Sequence, residues 1–230
     1  MTRIRFQQSL EELKEQLLVM AGLAEQSIQR AIEAYRVRDL SICDLVSRSE
    51  LTINRLEREI DQAALDLLAM EQPMAVDLRF ILSVIKINAD LERVGDAAKG
   101  ISDRVRNMEQ MAQAELPVDI PRMAELAAQM VRKSLQAFIE GDAELARSIL
   151  SMDDAVDAMN RAAYKALTKV MENESHLAPQ ALNALMISRA LERVADHATN
   201  IAEDVIFWIQ GDDVRHHKSL KNPPEPPAAA

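Results

Sequence analysis

Fifteen residues near the middle of this 230-residue chain return one hundred positions later with their spacing intact. Residues 87–101 read INADLERVGDAAKGI and residues 187–201 read ISRALERVADHATNI, identical at eight of fifteen positions without a gap, where chance at ordinary residue frequencies gives roughly one. A tandem duplication constrains the fold strongly, because whatever one copy folds into, the other must fold into beside it. Each half is then about a hundred residues, just enough to bury a core of its own.

Composition says what the halves are made of. Five Gly in the whole chain and 3% aromatic residues leave little material for turns or strands, while Ala, Leu, Met, Glu and Arg are good helix formers. The fold class expected is all-α. The net charge of −10 divides evenly: residues 1–115 carry 15 Lys+Arg against 20 Asp+Glu, and residues 116–230 carry 12 against 17. Such a balance argues against nucleic acid, which requires clustered positive charge. The lone Cys43 has no partner for an internal disulfide, and the N-terminus lacks a basic segment followed by an apolar run, so a cytoplasmic location is expected. No apolar run approaches the roughly 18 residues of a spanning helix, which leaves only peripheral membrane association through partners.

Apolar residues at three- and four-residue spacing predict helices over 10–35, 40–70 and 77–105 in the first half. Gln72-Pro73 ends the second of these, since the residue before Pro disfavours helical backbone. In the second half the same pattern predicts helices over 123–139 and 143–171, then one that Pro179 opens and that ends near Trp208 to Gly211. Leu116-Pro117 and Ile120-Pro121 mark the joint. The expected organisation is therefore two antiparallel three-helix bundles, 1–113 and 117–211, followed by a Pro- and Ala-rich tail, 212–230, with nothing to bury.

The repeat keeps an acidic pair in each copy. Leu-Glu-Arg-Val-x-Asp sets Glu92 with Asp96, and Glu192 with Asp196, four residues apart on one side of a helix turn. With Leu91 at the centre of the apolar sector, Asn88, Glu92, Asp96, Lys99 and Asp103 form a polar stripe along its edge; Ser188, Glu192, Asp196, Thr199 and Glu203 form the equivalent in the second half. On the preceding helix Glu50, Asn54, Glu57 and Asp61 share one row. Side-by-side packing would bring two acidic rows face to face. Such stripes are commonly solvated flanks, but recurrence in both repeats and a facing row of carboxylates favour cation binding. Carboxylate and amide oxygens are hard ligands, suited to magnesium, manganese, calcium or iron.

Together these residues resemble a known family. Residues 53–61 (INRLEREID), Gln72-Pro73 with Asp77-Leu78-Arg79, residues 90–96 (DLERVGD), residues 189–196 (RALERVAD), Asn200-Ile201-Ala202-Glu203, and the ending Trp208-x-x-Gly211 with Val214-Arg215-His216 are similar to the PhoU family of phosphate-uptake regulators. The resemblance runs over nearly the whole chain. It implies a cytoplasmic homodimer of PhoU-like bundles that represses phosphate uptake and the phosphate-starvation response, acting as an adaptor between the ATPase of the phosphate ABC transporter and a sensor histidine kinase. It also implies iron, manganese or magnesium, in single or multinuclear sites, held by paired acidic motifs that fall on Glu57 with Asp61, Glu92 with Asp96 and Glu192 with Asp196.

The second half departs from the first. Sliding the second helix by 103 residues sets Glu50, Asn54, Glu57 and Asp61 on Asp153, Asp157, Asn160 and Tyr164, so the acidic pair available there is Asp153 with Asp157. Glu25, a further first-half candidate along with Asn88 and Asp90, aligns with Arg132. A second site should therefore differ from the first in nuclearity or affinity, or be vacant. His197 reads as a surface or dimer-contact residue. Two alternatives stay open: a carboxylate-bridged metal oxidase, disfavoured because no Glu has a His three residues later, and a structural bundle without metal. No phosphate-cradling Gly-rich loop occurs, and the acidic rows themselves would repel an anion unless a metal intervened.

Overall fold

The computed structural model describes residues 3–112 and 114–214. Helices α1 (Arg3–Val37), α2 (Leu40–Glu71) and α3 (Val76–Asn107) come from the first half. Helices α4 (Ile120–Glu140), α5 (Ala143–Leu150), α6 (Asp153–Asn173) and α7 (Ala178–Gln210) come from the second, with one 3-10 turn at Ser175–Leu177. Among the described residues there is no strand. The chain is all-α, a tandem pair of helical bundles. The expected tail falls mainly on residues 215–230, outside the described residues.

Local chemistry sets the helix ends. The Asp39 carboxylate accepts from the Ser41 amide, Asp119 from Arg122, and Asp142 from both Glu144 and Leu145, at 2.8–3.0 Å, so each satisfies N–H groups that a first turn leaves without partners. Gly141 and Gly211 close α4 and α7 in left-handed conformation, φ 65° and 79°, where a Cβ would be strained. Gln72 takes that role for α2 at φ 47° without being Gly, because the following Pro73 stops the helix regardless.

Two boundaries differ from expectation. Helix α1 begins about two turns early, since its first turns are largely solvent-facing and show no apolar period. The helix expected over 143–171 is broken into α5 and α6. At the break the Ser148 and Ser151 hydroxyls donate to carbonyls three residues back, a local bonding that competes with the helical ladder, and Asp153 and Asp154 favour a fresh first turn.

Helices α1 and α2 pack with α3, while α4, α5 and α6 pack with α7. The halves meet through an antiparallel α3–α7 contact and a lighter α1–α4 contact. Most of their buried apolar residues, from Leu10 through Leu91 and Phe138 to Ile206, form one core continuous across both halves, with smaller clusters around Leu167 and around Cys43. Three of the few aromatics meet at its end, with Phe80 5.9 Å from Phe138 and 5.2 Å from Trp208 between ring centres. No described helix is long and apolar enough to cross a membrane.

Polar groups pin the α3–α7 joint. The Asp90 carboxylate lies 2.8 Å from His197 Nδ1 and accepts from Asn200 at 3.2 Å. Lys86 reaches Asp204 at 2.9 Å, and the Ser83 hydroxyl donates to the Asp204 carbonyl. His197 is thus no surface residue but is 8% exposed. The expectation failed because α7 is covered on two sides, by its own bundle and by α3.

Candidate metal-binding seams

The α2–α3 seam brings the predicted first-half residues together. Asn88 is fully buried on α3, and its Nδ2 donates to the Glu57 carbonyl and to Asp61 Oδ1, both at 2.9 Å. This ties the two acidic helices in one register. Asn54 donates to Glu50 at 2.6 Å. The Oδ1 atoms of Asn54 and Asn88 are buried without a hydrogen-bond partner, an arrangement that costs about 1–3 kcal/mol for each unless something accepts the lone pair.

The carboxylates above these amides repel one another. Glu57 is pushed above the ordinary carboxylate range by burial first and then by Asp61, with Asp96 adding to the effect and Arg58 opposing it. Glu92 is raised by burial, then by Asp96 and Glu57, against Arg93. Glu57, Asp61, Glu92 and Asp96 therefore share one electrostatic neighbourhood, as the helical rows predict. Gly95 allows the close approach beneath them: a Cβ there would stand 2.9 Å from Ile53 Cδ1.

The α6–α7 seam assembles the second set. Glu192 is raised by burial, then by Asp196 and Asp157, with a smaller push from Asp153, and is lowered by Arg189. Asp153, at the start of α6, is buried, and Asp157 accepts from Arg161 at 3.1 Å. Below them, the Ser188 hydroxyl donates to Asn160 Oδ1 at 2.8 Å. A neutral Ser–Asn bond thus stands where the first half has Asn88 against Glu57 and Asp61.

Two weaker candidates lie elsewhere. Glu25 on α1 is bound at 2.9 Å by Arg132 on α4, the residue that occupies its own position in the other repeat, and Asp90 faces α7. Neither joins the α2–α3 row. The buried Asp90–His197–Asn200 group was missed in the sequence, although the helical phase of His197, three residues from Val194 and four from Ile201, carried the signal.

The donor chemistry fits a hard cation. Oxygen ligands dominate, two buried amide oxygens lack partners, and the carboxylates raise one another's proton affinity, which a cation would offset. Among the described residues, however, no group of three or more His, Cys, Asp or Glu is gathered as a ready ligand set. The carboxylates lie as pairs along the seam, so a cation would draw rotamers inward.

Comparison with known proteins follows the duplication. A family described as PhoU domain matches twice, over residues 17–105 and 120–205. A phosphate-specific transport system accessory protein PhoU homolog of Pseudomonas aeruginosa is 36% identical over 215 residues, covering 92% of this chain and 88% of that protein. The phosphate-specific transport system accessory protein PhoU of Escherichia coli is 31% identical over 214 residues, with 92% and 88% covered. A crystal structure of PhoU from Pseudomonas aeruginosa superposes with TM-score 0.87 at 35% identity, covering 90% of this chain and 100% of that one. One of the phosphate transport system regulatory protein PhoU from Streptococcus pneumoniae gives 0.84 at 29% identity, covering 91% and 99%.

Proposed function

This chain belongs to the PhoU family, and from that premise we propose that it is an accessory regulator of a phosphate-specific transport system, restraining phosphate uptake and the phosphate-starvation response when phosphate is plentiful. The observation that carries the reading is the match, over 92% of the chain, to proteins named for that system. The proposed output is contact rather than catalysis: a cytoplasmic adaptor, working as a homodimer, between the transporter ATPase and the sensor histidine kinase. A duplicated scaffold with two long exterior faces suits two partners.

The acidic seams belong to the same proposal. Glu57, Asp61, Glu92 and Asp96, with Asn88 beneath, would hold a hard cation in the first half; Asp153, Asp157, Glu192 and Asp196 would hold one more weakly in the second, where Asn160 and Tyr164 replace carboxylates. Iron, manganese or magnesium bound there would neutralise the repelling rows and offer a positive charge to an acidic partner surface. The chain's own residues set the register, through Asn88, and the helix spacing, through Gly95.

Deletion of the gene tests the role, with a phosphate-starvation reporter read under abundant phosphate. Derepression restored by the wild-type gene is expected, and an unchanged reporter would overturn the reading. Arg93 and Arg193, duplicated and exposed, are the outward cations proposed to meet partners. R93E/R193E should fold but fail to restore repression, and full restoration by that variant would remove them from the interface.

A further inference from the structure

A surface cavity of about 300 Å³ opens between α6 and α7, lined by Asn160, Arg161, Tyr164, Lys165 and Arg189. Every lining side chain has an N–H or O–H to donate, and none is a carboxylate. Four of the five stand on one face of α6, at intervals of one, four and five residues, and Arg189 closes the opposite side from α7. Asn160 is already oriented, because its Oδ1 accepts the Ser188 hydroxyl at 2.8 Å and its amide N–H groups are left to donate. Arg161 is steadied by Asp157 at 3.1 Å. Arg189, one helical turn before Glu192, also lowers that carboxylate's proton affinity.

Comparison of the repeats shows that this lining is specific to the second half. The equivalent first-half residues are Glu57, Arg58, Asp61, Gln62 and Ala89, two anions and one cation, where the cavity has three cations and no anion. The same divergence that removed Glu57 and Asp61 from the second acidic row replaced them with two donors and added two cations. Arg189 also borders an adjoining cleft of about 590 Å³ whose lining sets Lys99, Arg104 and Arg193 beside the carboxylates Asp96 and Asp103. A chain of net charge −10 thus carries, beside its second acidic pair, one cavity lined by three cations and no carboxylate.

We propose that this cavity binds a phosphate-type oxyanion directly, without a bridging metal. Guanidinium groups supply paired N–H donors to adjacent oxygens, the ammonium supplies charge, and the Tyr164 hydroxyl and Asn160 amide complete a tetrahedral anion's acceptors. The source is inorganic phosphate in solution or the phosphate of a lipid headgroup. The assignment rests on the lining alone and stands independently of the transporter reading.

The test uses the full chain in chelator, so that no metal can bridge. Inorganic phosphate is titrated by calorimetry and by phosphorus NMR, and vesicles of phosphatidylcholine with or without phosphatidic acid are used in a parallel sedimentation assay. Saturable binding in at least one arm is expected, and the arm that binds identifies the source. K165Q/R189Q should weaken it about a hundredfold, at about tenfold for each charged donor. R189K, which keeps charge but not the paired donors, should fall between wild type and R189Q. Both positions are exposed, so unchanged helicity and melting serve as controls. No saturable binding in either arm, or binding that E57Q/E92Q abolishes while K165Q/R189Q leaves it intact, would overturn the proposal.

Discussion

Replacing Asn88 by Asp changes one atom type at the centre of the α2–α3 seam and almost no volume. The Asn88 amide donates at 2.9 Å to Asp61 Oδ1 and at 2.9 Å to the Glu57 carbonyl, in a site with no solvent exposure. Asn88→Asp turns both contacts into acceptor facing acceptor. Loss of a hydrogen bond to a charged group costs about 1.5–3 kcal/mol and loss of a neutral one about 1. A buried carboxylate without a counterion brings the total to about 3–5 kcal/mol in chelator at neutral pH, unless the new acid protonates and returns part of it. In a protein of this size that is a fall in Tm of about 6–20 °C. Asn88→Ala removes the same donors but also the partnerless Oδ1, and should lose less. The assay is thermal melting by circular dichroism, with and without manganese. The account predicts that N88D gains more from the cation than wild type does, because the cation acquires one more carboxylate. A Tm for N88D in chelator within about 2 °C of wild type would refute the reasoning, since only a seam open to water tolerates that exchange.

Other consequences follow from neighbouring groups. Glu57, Glu92 and Glu192 all lie above the ordinary value of 4.5, so at each the folded chain binds its proton more tightly than the unfolded chain. Their contribution is complete below that value and is lost as pH rises through the folded values. In chelator, E57Q/E92Q/E192Q should therefore gain stability over wild type as pH rises from about 4.5 towards 7, and parallel Tm curves would refute this. His197→Ala leaves the Asp90 carboxylate buried with only the longer Asn200 bond and should cost about 2–4 kcal/mol in denaturant melts; a change under about 0.5 would place no weight on the α3–α7 polar joint. Gly141→Ala forces a Cβ onto φ 65° and should cost about 1 kcal/mol, read by the same melts.

The architecture was legible because duplication, helical period and sparse Gly and Pro all pointed one way. Gln72-Pro73, Gly141 and Pro179 mark real helix ends. The α5–α6 break was not legible, since Ser148 and Ser151 read as ordinary helical surface until their hydroxyls are seen bonded to carbonyls one turn back. At the seams, helical rows were enough to group Glu57 and Asp61 with Glu92 and Asp96, and Asp153 and Asp157 with Glu192 and Asp196, because four-residue spacing fixes a face. Relations between the bundles stayed hidden. Nothing local tells that Glu25 meets Arg132, or that Asp90 meets His197, because those contacts depend on how one repeat is turned against the other. The positive cavity lay hidden for a different reason, within one repeat: Arg189 is 24 residues from Lys165 in sequence and joins it only when α6 and α7 pack.

The central claim, that the acidic pairs hold hard cations and that the repeats do so unequally, is tested most directly by elemental analysis. Wild type, E92A/D96A and E192A/D196A are exposed equally to iron, manganese and magnesium, freed of loosely held ions, and measured for metal per chain. The account predicts that E92A/D96A loses the larger share, that E192A/D196A loses a smaller, separate share, and that both keep wild-type helicity. Equal metal content in all three proteins would contradict it and leave the acidic rows as solvated flanks of a helical scaffold.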